Sequence, residues 1–260
     1  MTSALEDLLA LMRRLRDPER GCPWDRAQTP ASLVRHTLEE AYEVADCIER
    51  EDWRALPGEL GDLLFQVVFY AQIGAEEGRY DFEAVCRGLV DKLTRRHPHV
   101  FGDEPRGDAA AQSRRWEEIK AAERAQGARA SAVDDLPRAL PALSRASKLQ
   151  QRAARVGFDW PSLPPVVEKL REETAELDAA LAAGDRAAVA HELGDLLFTC
   201  VNLARHLGLD AESTLRAANA RFERRFRALE TRAVAAGHAP DRLDAAALDA
   251  LWQAIKAEER

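Results

Sequence analysis

Two sets of acidic residues carry the clearest chemical signal in this chain. Glu192-Leu193-Gly194-Asp195-Leu196-Leu197-Phe198 repeats, residue for residue, the run Glu59-Leu60-Gly61-Asp62-Leu63-Leu64-Phe65. Upstream of each copy, at the same gapless interval, stands another acidic cluster: Glu39, Glu40 and Glu43 before the first, Glu172, Glu173 and Glu176 before the second. Residues three apart on a helix lie only about 60° apart around its axis, so Glu173 and Glu176 share a face, as do Glu192 and Asp195. Two such helices packed antiparallel aim four carboxylates at one point. At 4 Å each like-charged pair costs on the order of 4 kcal/mol at an effective dielectric near 20, and a divalent cation removes that cost. Oxygen-only ligation suits a hard ion, Mg²⁺ with Mn²⁺ as a substitute, and Mg²⁺ takes phosphate oxygens into its shell. A di-iron bundle needs Glu-x-x-His on two helices, and none of the six histidines has a glutamate three residues before it.

Taken singly, a Glu-x-x-Glu is most often a solvated helix face. The two copies argue otherwise. Between Val44–Gly58 and Leu177–His191 they agree only at Asp52/Asp185 and Ala55/Ala188, while the acids agree on both sides of that stretch. A solvated face would have drifted too. Cations and aromatics also recur: Lys92 and Arg96 follow Asp81 at the spacing with which Arg221 and Arg225 follow Asp210, and Trp116/Lys120 answers Trp252/Lys256. Arg96 sits just before Pro98, where a cation can simply complement a helix C-terminus. Arg221 and Arg225 fall mid-helix, one turn apart, and phosphate binding is the better account of them. Trp252 fits a core position and a base-stacking platform equally well, with Lys256 on its face. Gly61 and Gly194 cost about 1 kcal/mol each in a helix interior. Tight packing of a neighbouring helix explains them at least as well as a ligand does.

The elements that must hold these residues all read as helices. Leu5, Leu8, Leu9, Met12 and Leu15 recur at helical spacing before Asp17-Pro18. Gly21-Cys22-Pro23-Trp24-Asp25 reads as a rigid loop, and Thr29-Pro30 as a cap and first turn for a helix over about Ala31 to Arg50. A second long helix, Trp53 to Gly78, takes Leu60, Leu63, Leu64, Val67 and Ala71 as its expected buried stripe, and Asp81 caps a third that ends at Pro98. A further helix carries Trp116. The second half replays this order: Gly157-Phe158-Asp159-Trp160, a helix opened by Pro164-Pro165 and ended by Gly184, then one capped by Asp210. Leu193, Leu196 and Leu197 are expected to anchor the helix bearing Glu192. No segment alternates with period two, so the fold expected is all-α: two tandem helical-bundle domains, residues 1–125 and 136–260, joined by a linker at 126–135 and arising from internal duplication.

Composition narrows the function. With 46% hydrophobic and 32% charged residues the chain is globular, and its net charge of −8 argues against nucleic acid or an anionic membrane as partner. Cys22, Cys47, Cys86 and Cys200 are scattered, with no Cys-x-x-Cys, and read as reduced thiols. Glu6 and Asp7 interrupt the first apolar stretch, unlike a signal peptide, and no apolar run reaches membrane-spanning length, so the expected location is the cytoplasm.

These motifs together resemble the MazG family, tandem-domain nucleoside triphosphate pyrophosphohydrolases of the all-α NTP pyrophosphatase group. The resemblance spans essentially the whole chain and rests on Gly21-Cys22-Pro23-Trp24-Asp25, Leu38-Glu39-Glu40-x-x-Glu43, both seven-residue runs, Arg95-Arg96-His97-Pro98-His99-Val100-Phe101, Gly157-Phe158-Asp159-Trp160 and the second acidic set. It implies Mg²⁺-dependent hydrolysis of an NTP or dNTP to monophosphate and pyrophosphate, in nucleotide-pool cleansing or regulation. It also implies a homodimer. Metal ligation would fall on Glu173, Glu176, Glu192 and Asp195, and on Glu40, Glu43, Glu59 and Asp62. Arg221, Arg225, Trp252 and Lys256 would contact nucleotide, with Lys92, Arg96, Trp116 and Lys120 in the corresponding first-half places. Catalysis is expected in the second half, with Glu172 or Glu173 orienting the attacking water and Glu192 essential. The alternative is a helical regulatory or interaction protein that binds nucleotide without turnover.

Overall fold

The computed structural model describes residues 3–102, 108, 112, 115, 116, 119 and 131–259. Every element in it is helical, and the chain separates into two compact units, residues 1–126 and 127–260. In the first unit the helices are α1 (Ala4–Leu15), α2 (Pro23–Ala27), α3 (Pro30–Glu49), α4 (Leu56–Glu76), α5 (Phe82–Arg96) and α6 (Pro98–Phe101). The second holds α7 (Ala142–Arg155), α8 (Leu163–Ala183), α9 (Arg186–His206), α10 (Ala211–Ala235), a 3₁₀ turn at Pro240–Arg242 and α11 (Ala245–Glu258).

Local sequence sets most boundaries. Thr29 caps α3 in a reciprocal box with Ser32, and Asp81 and Asp210 accept the first free amides of α5 and α10. Gly184 ends α8 in the left-handed region at φ 69°, and Asp185 immediately caps α9. That two-residue connection forces α8 and α9 into an antiparallel hairpin with their acidic segments side by side. One local expectation fails: Pro23 opens the short helix α2 where a loop was expected, because its fixed φ and missing N–H suit a first turn.

In both units the first helix packs on the second acidic helix, α1 on α4 and α7 on α9. Met12, Leu33, Val68, Phe69 and Ile73 form the first unit's core, with Leu8, Leu9, Phe65, Tyr70 and Phe82 around it. The expected stripe on α4 is therefore wrong over most of its length. Leu60, Leu64 and Val67 are 48%, 41% and 39% exposed, and of the five residues only Ala71 is buried. The core meets α4 around Val68–Ile73, where α1 and α5 lie against it, whereas Leu60, Leu64 and Val67 on its earlier turns stay exposed among the described residues. Leu193 and Leu197 are likewise exposed, so they do not anchor α9; Val201 does.

Candidate active site

The hairpins place acids from neighbouring helices together. Glu173 of α8 meets Glu192 and Asp195 of α9 with one oxygen of each within 4.8 Å of the others, and Glu40 and Glu43 of α3 meet Glu59 of α4 to the same limit. Glu176 and Asp62 lie outside these triads and are exposed, although Asp62 is near enough for its charge to act on Glu40. Burial pushes the Glu40 carboxyl above its ordinary value, and the hydrogen bond and charge of Glu43 with the charges of Asp62 and Glu39 add to the effect.

The second triad is built around Glu173, only 4% exposed. Its Oε1 lies 2.8 Å from Lys169 Nζ, while Oε2 has no hydrogen-bond partner among the described residues. A buried carboxylate oxygen without a partner is costly unless a cation or donor reaches it. The donor set fits a hard divalent ion held by Glu173, Glu192 and Asp195. Lys169 also holds Glu172, at 2.7 Å, one turn along the exposed side of α8. His191 Nε2 stands 3.3 Å from Asp195.

The cations expected to meet nucleotide fall into different settings. Arg221, Arg225 and Lys256 line one groove with Arg224 and Glu259. Arg225 donates to Glu259 at 2.7 Å and Arg224 at 3.1 Å, holding the Glu259 carboxyl below its ordinary value. Arg221 and Lys256 have no ion pair among the described residues. Trp252 is half-buried with its ring 5.3 Å from Phe222, which stacks at 5.9 Å on Phe226. In the first unit the Arg96 guanidinium lies over the Trp116 ring at 5.4 Å, with the His97 ring at 4.9 Å, and Lys92 is half-buried on α5. Lys120 lies outside the described residues. Gly61 and Gly194 are not packing glycines among the described residues, since a Cβ built on either meets none of their atoms within 4 Å.

The structure adds a region that the acidic motifs did not indicate. A cavity of about 470 Å³ opens between α7, α9 and the loop at Gly157–Trp160, walled by Phe158, Trp160, Phe198, Gln150, Asn202 and Arg205. Asp159 ties the loop to the end of α9. It accepts two bonds from Arg205, one of them at 2.9 Å, and contacts His206 Nε2 at 3.1 Å. Above all the Arg205 bonds hold the Asp159 carboxyl down at about 2. The repeated Gly-x-x-Trp signal marked this loop in the sequence, but not the cavity behind it.

The MazG nucleotide pyrophosphohydrolase domain matches residues 28–101 and 165–229, the two acidic regions. The chain is 54% identical over 257 residues to a nucleoside triphosphate pyrophosphohydrolase of Escherichia coli (strain K12), covering 98% of each. It is 42% identical over 251 residues to the nucleoside triphosphate pyrophosphohydrolase/pyrophosphatase MazG of Thermotoga maritima, covering 96% of this chain and 95% of that one. The protein of that first description from Mycolicibacterium smegmatis is 35% identical over 203 residues, 70% of this chain and 61% of its own. Duplicated acidic hairpins, their order along the chain and near full-length similarity together assign the chain to the MazG nucleotide pyrophosphohydrolase family.

Proposed function

We infer that this protein hydrolyses nucleoside triphosphates, ribo or deoxy, to the monophosphate and pyrophosphate, and that the site in its second half does the work. The observation that carries the assignment of the site is the convergence of Glu173, Glu192 and Asp195, with Glu173 buried and its Oε2 without a partner among the described residues. Mg²⁺, with Mn²⁺ as substitute, is the ion these residues would hold, with Glu176 drawn in from the edge. When bound it supplies charge neutralisation for the triphosphate and acidifies water. Water attacks the α-phosphorus in line, the bond from that phosphorus to the bridging oxygen breaks, and pyrophosphate leaves. Glu172, exposed beside the buried ligand, accepts the proton from that water. Arg221 and Lys256 are available to meet phosphate charge, and Arg225 can do so by leaving Glu259.

The exposed apolar residues of the acidic helices, Leu60, Leu64, Leu193 and Leu197, support a homodimer in which a second copy covers them. Net negative charge supports a small nucleotide rather than nucleic acid as partner. Four free thiols and an NTP substrate suit the cytoplasm, and no helix among the described residues is long and apolar enough to cross a membrane. Nucleotide-pool cleansing or regulation is the role this activity serves. The reading as a regulatory nucleotide binder without turnover retains support only for the first half, where Phe69 replaces Asn202. The test is product analysis over a panel of NTPs and dNTPs, with and without Mg²⁺. Monophosphate with pyrophosphate is expected, and diphosphate with phosphate would overturn the reading.

A further inference from the structure

The groove between α10 and α11 sets four cations against one anion. Arg221, Arg224 and Arg225 of α10 and Lys256 of α11 surround a space of about 690 Å³ with Glu259, the residue that caps the end of α11. Both oxygens of the Glu259 carboxylate are engaged. Oε2 accepts from Arg225 Nε at 2.7 Å and pairs with Nη2 of the same guanidinium, while Oε1 accepts from Arg224 Nη2 at 3.1 Å. Nε and Nη2 make up one edge of the guanidinium fork, the kind of edge that grips a carboxylate or a phosphate with equal fitness. Glu259 therefore stands on Arg225 as a phosphate oxygen would. The pair is partly shielded from water, with side chains 22% and 29% exposed, so solvent screens it less than it screens Arg224 at 65%.

A second tie makes this contact separable from helix packing. Arg232 donates to Glu258, and neither residue lines the groove. Arg232 stands seven residues beyond Arg225, about 10.5 Å along α10. With that tie in place α11 stays fastened to α10 when Glu259 lets go, and a rotamer change of one side chain at the helix end is enough to free Arg225. A ligand that meets Arg225 through this edge must first displace Glu259, and its apparent affinity falls by the fraction of time the edge is open. A pair closed about nine-tenths of the time weakens such a ligand about tenfold. The penalty applies to substrate and to the pyrophosphate product alike, so the return of Glu259 favours release of what has been cleaved.

We propose that Glu259 is a positioning residue that acts as a built-in competitor for phosphate, holding Arg225 between turnovers and limiting how tightly the groove retains pyrophosphate. The proposal rests on the reading of the chain as a nucleoside triphosphate pyrophosphohydrolase whose Arg225 meets phosphate. It is tested by calorimetric titration of the full-length protein with inorganic pyrophosphate in the presence of Mg²⁺, for wild type, Glu259→Gln and Glu258→Gln. The two variants lose the same charge at neighbouring exposed positions, but only one of them touches the groove. Glu259→Gln is expected to bind pyrophosphate about tenfold more tightly, with KM for the triphosphate falling in the same direction and kcat not rising. Glu258→Gln is expected to match wild type. Equal tightening in both variants would reduce the effect to net charge and overturn the proposal. Unchanged pyrophosphate affinity in Glu259→Gln would also overturn it, because the pair would then persist under the ligand, and so would weaker affinity, because Glu259 would then be holding Arg225 in place for phosphate. Failure of the reading beneath it is seen separately, as wild-type protein that releases no pyrophosphate from any nucleoside triphosphate.

Discussion

The two halves share an acidic hairpin and differ in what stands behind it. In the first unit Phe69 and Met12 are buried in the apolar core where α1 meets α4, and the hollow of about 410 Å³ in that unit lies to one side, against Leu9, Val68, Gln72 and Phe82. In the second, Asn202 and Gln150 occupy the facing helices and a cavity remains. The electrostatic tie from the first helix's exit to the acidic helix is present in both, with its charges reversed. Arg16, just after α1, makes a bidentate pair with Glu76 of α4 at 2.9 and 2.7 Å, whereas Asp159, after α7, receives Arg205 of α9. Duplication thus preserved the acidic hairpin and a clamp, while one position behind the acids diverged from a buried Phe69 to an Asn202 that lines a cavity. A charge pair works with either polarity, but a side chain that fills a cavity cannot also leave it empty.

Substitutions can break this comparison in graded steps. Glu192→Gln should reduce turnover at saturating Mg²⁺ by at least about a thousandfold, while Glu59→Gln should leave most of it, as read by pyrophosphate release. Equal losses would mean that both halves work. Phe69→Ala should cost the first unit about 3–5 kcal/mol, seen in denaturant unfolding, because it empties a filled core. Asp159→Asn should cost the second unit about 2 kcal/mol at neutral pH by stranding Arg205, which is only 16% exposed. Its pH signature is specific. The folded Asp159 carboxyl titrates at about 2 instead of 3.8, so its contribution is complete above 3.8 and disappears as pH falls towards 2. The Asn variant should lose less stability than wild type across that window, because the Asp159 share of the acid dependence is gone.

Lys169→Met removes the ammonium that shares Glu173 and Glu172, and should tighten Mn²⁺ binding in the second half a few-fold by titration calorimetry, while His36, at the corresponding first-half position, offers no such gain. Gly194→Ala should be the mildest change. Open space around its Cβ leaves only helix propensity, a gain of up to about 1 kcal/mol in thermal unfolding. Loss of activity without loss of stability would mean that a ligand or second copy approaches there.

Much of this was legible before any coordinates. Thr29, Asp81, Gly184 and Asp210 are local signals, and the structure uses each as a cap or stop because capping depends only on neighbouring amides. The acids were visible as a repeated helical face. What misled was burial: Leu60, Leu64, Leu193 and Leu197 repeat as faithfully as the acids, yet lie exposed. An apolar residue at helical spacing marks a face to be covered, and the spacing does not name the cover.

By itself, then, the sequence determined the all-α duplicated design, the helix ends and the pairing of acids on adjoining turns, because these follow from contacts a few residues apart. Only the tertiary structure decided that Glu173, Glu192 and Asp195 converge while Glu176 stands aside, that Lys169 bridges Glu172 and Glu173, and that Gln150 reaches Phe198 beside an open cavity. Those outcomes depend on how helices far apart in the chain cross, and on whether a Phe or an Asn stands at one position on the face between them.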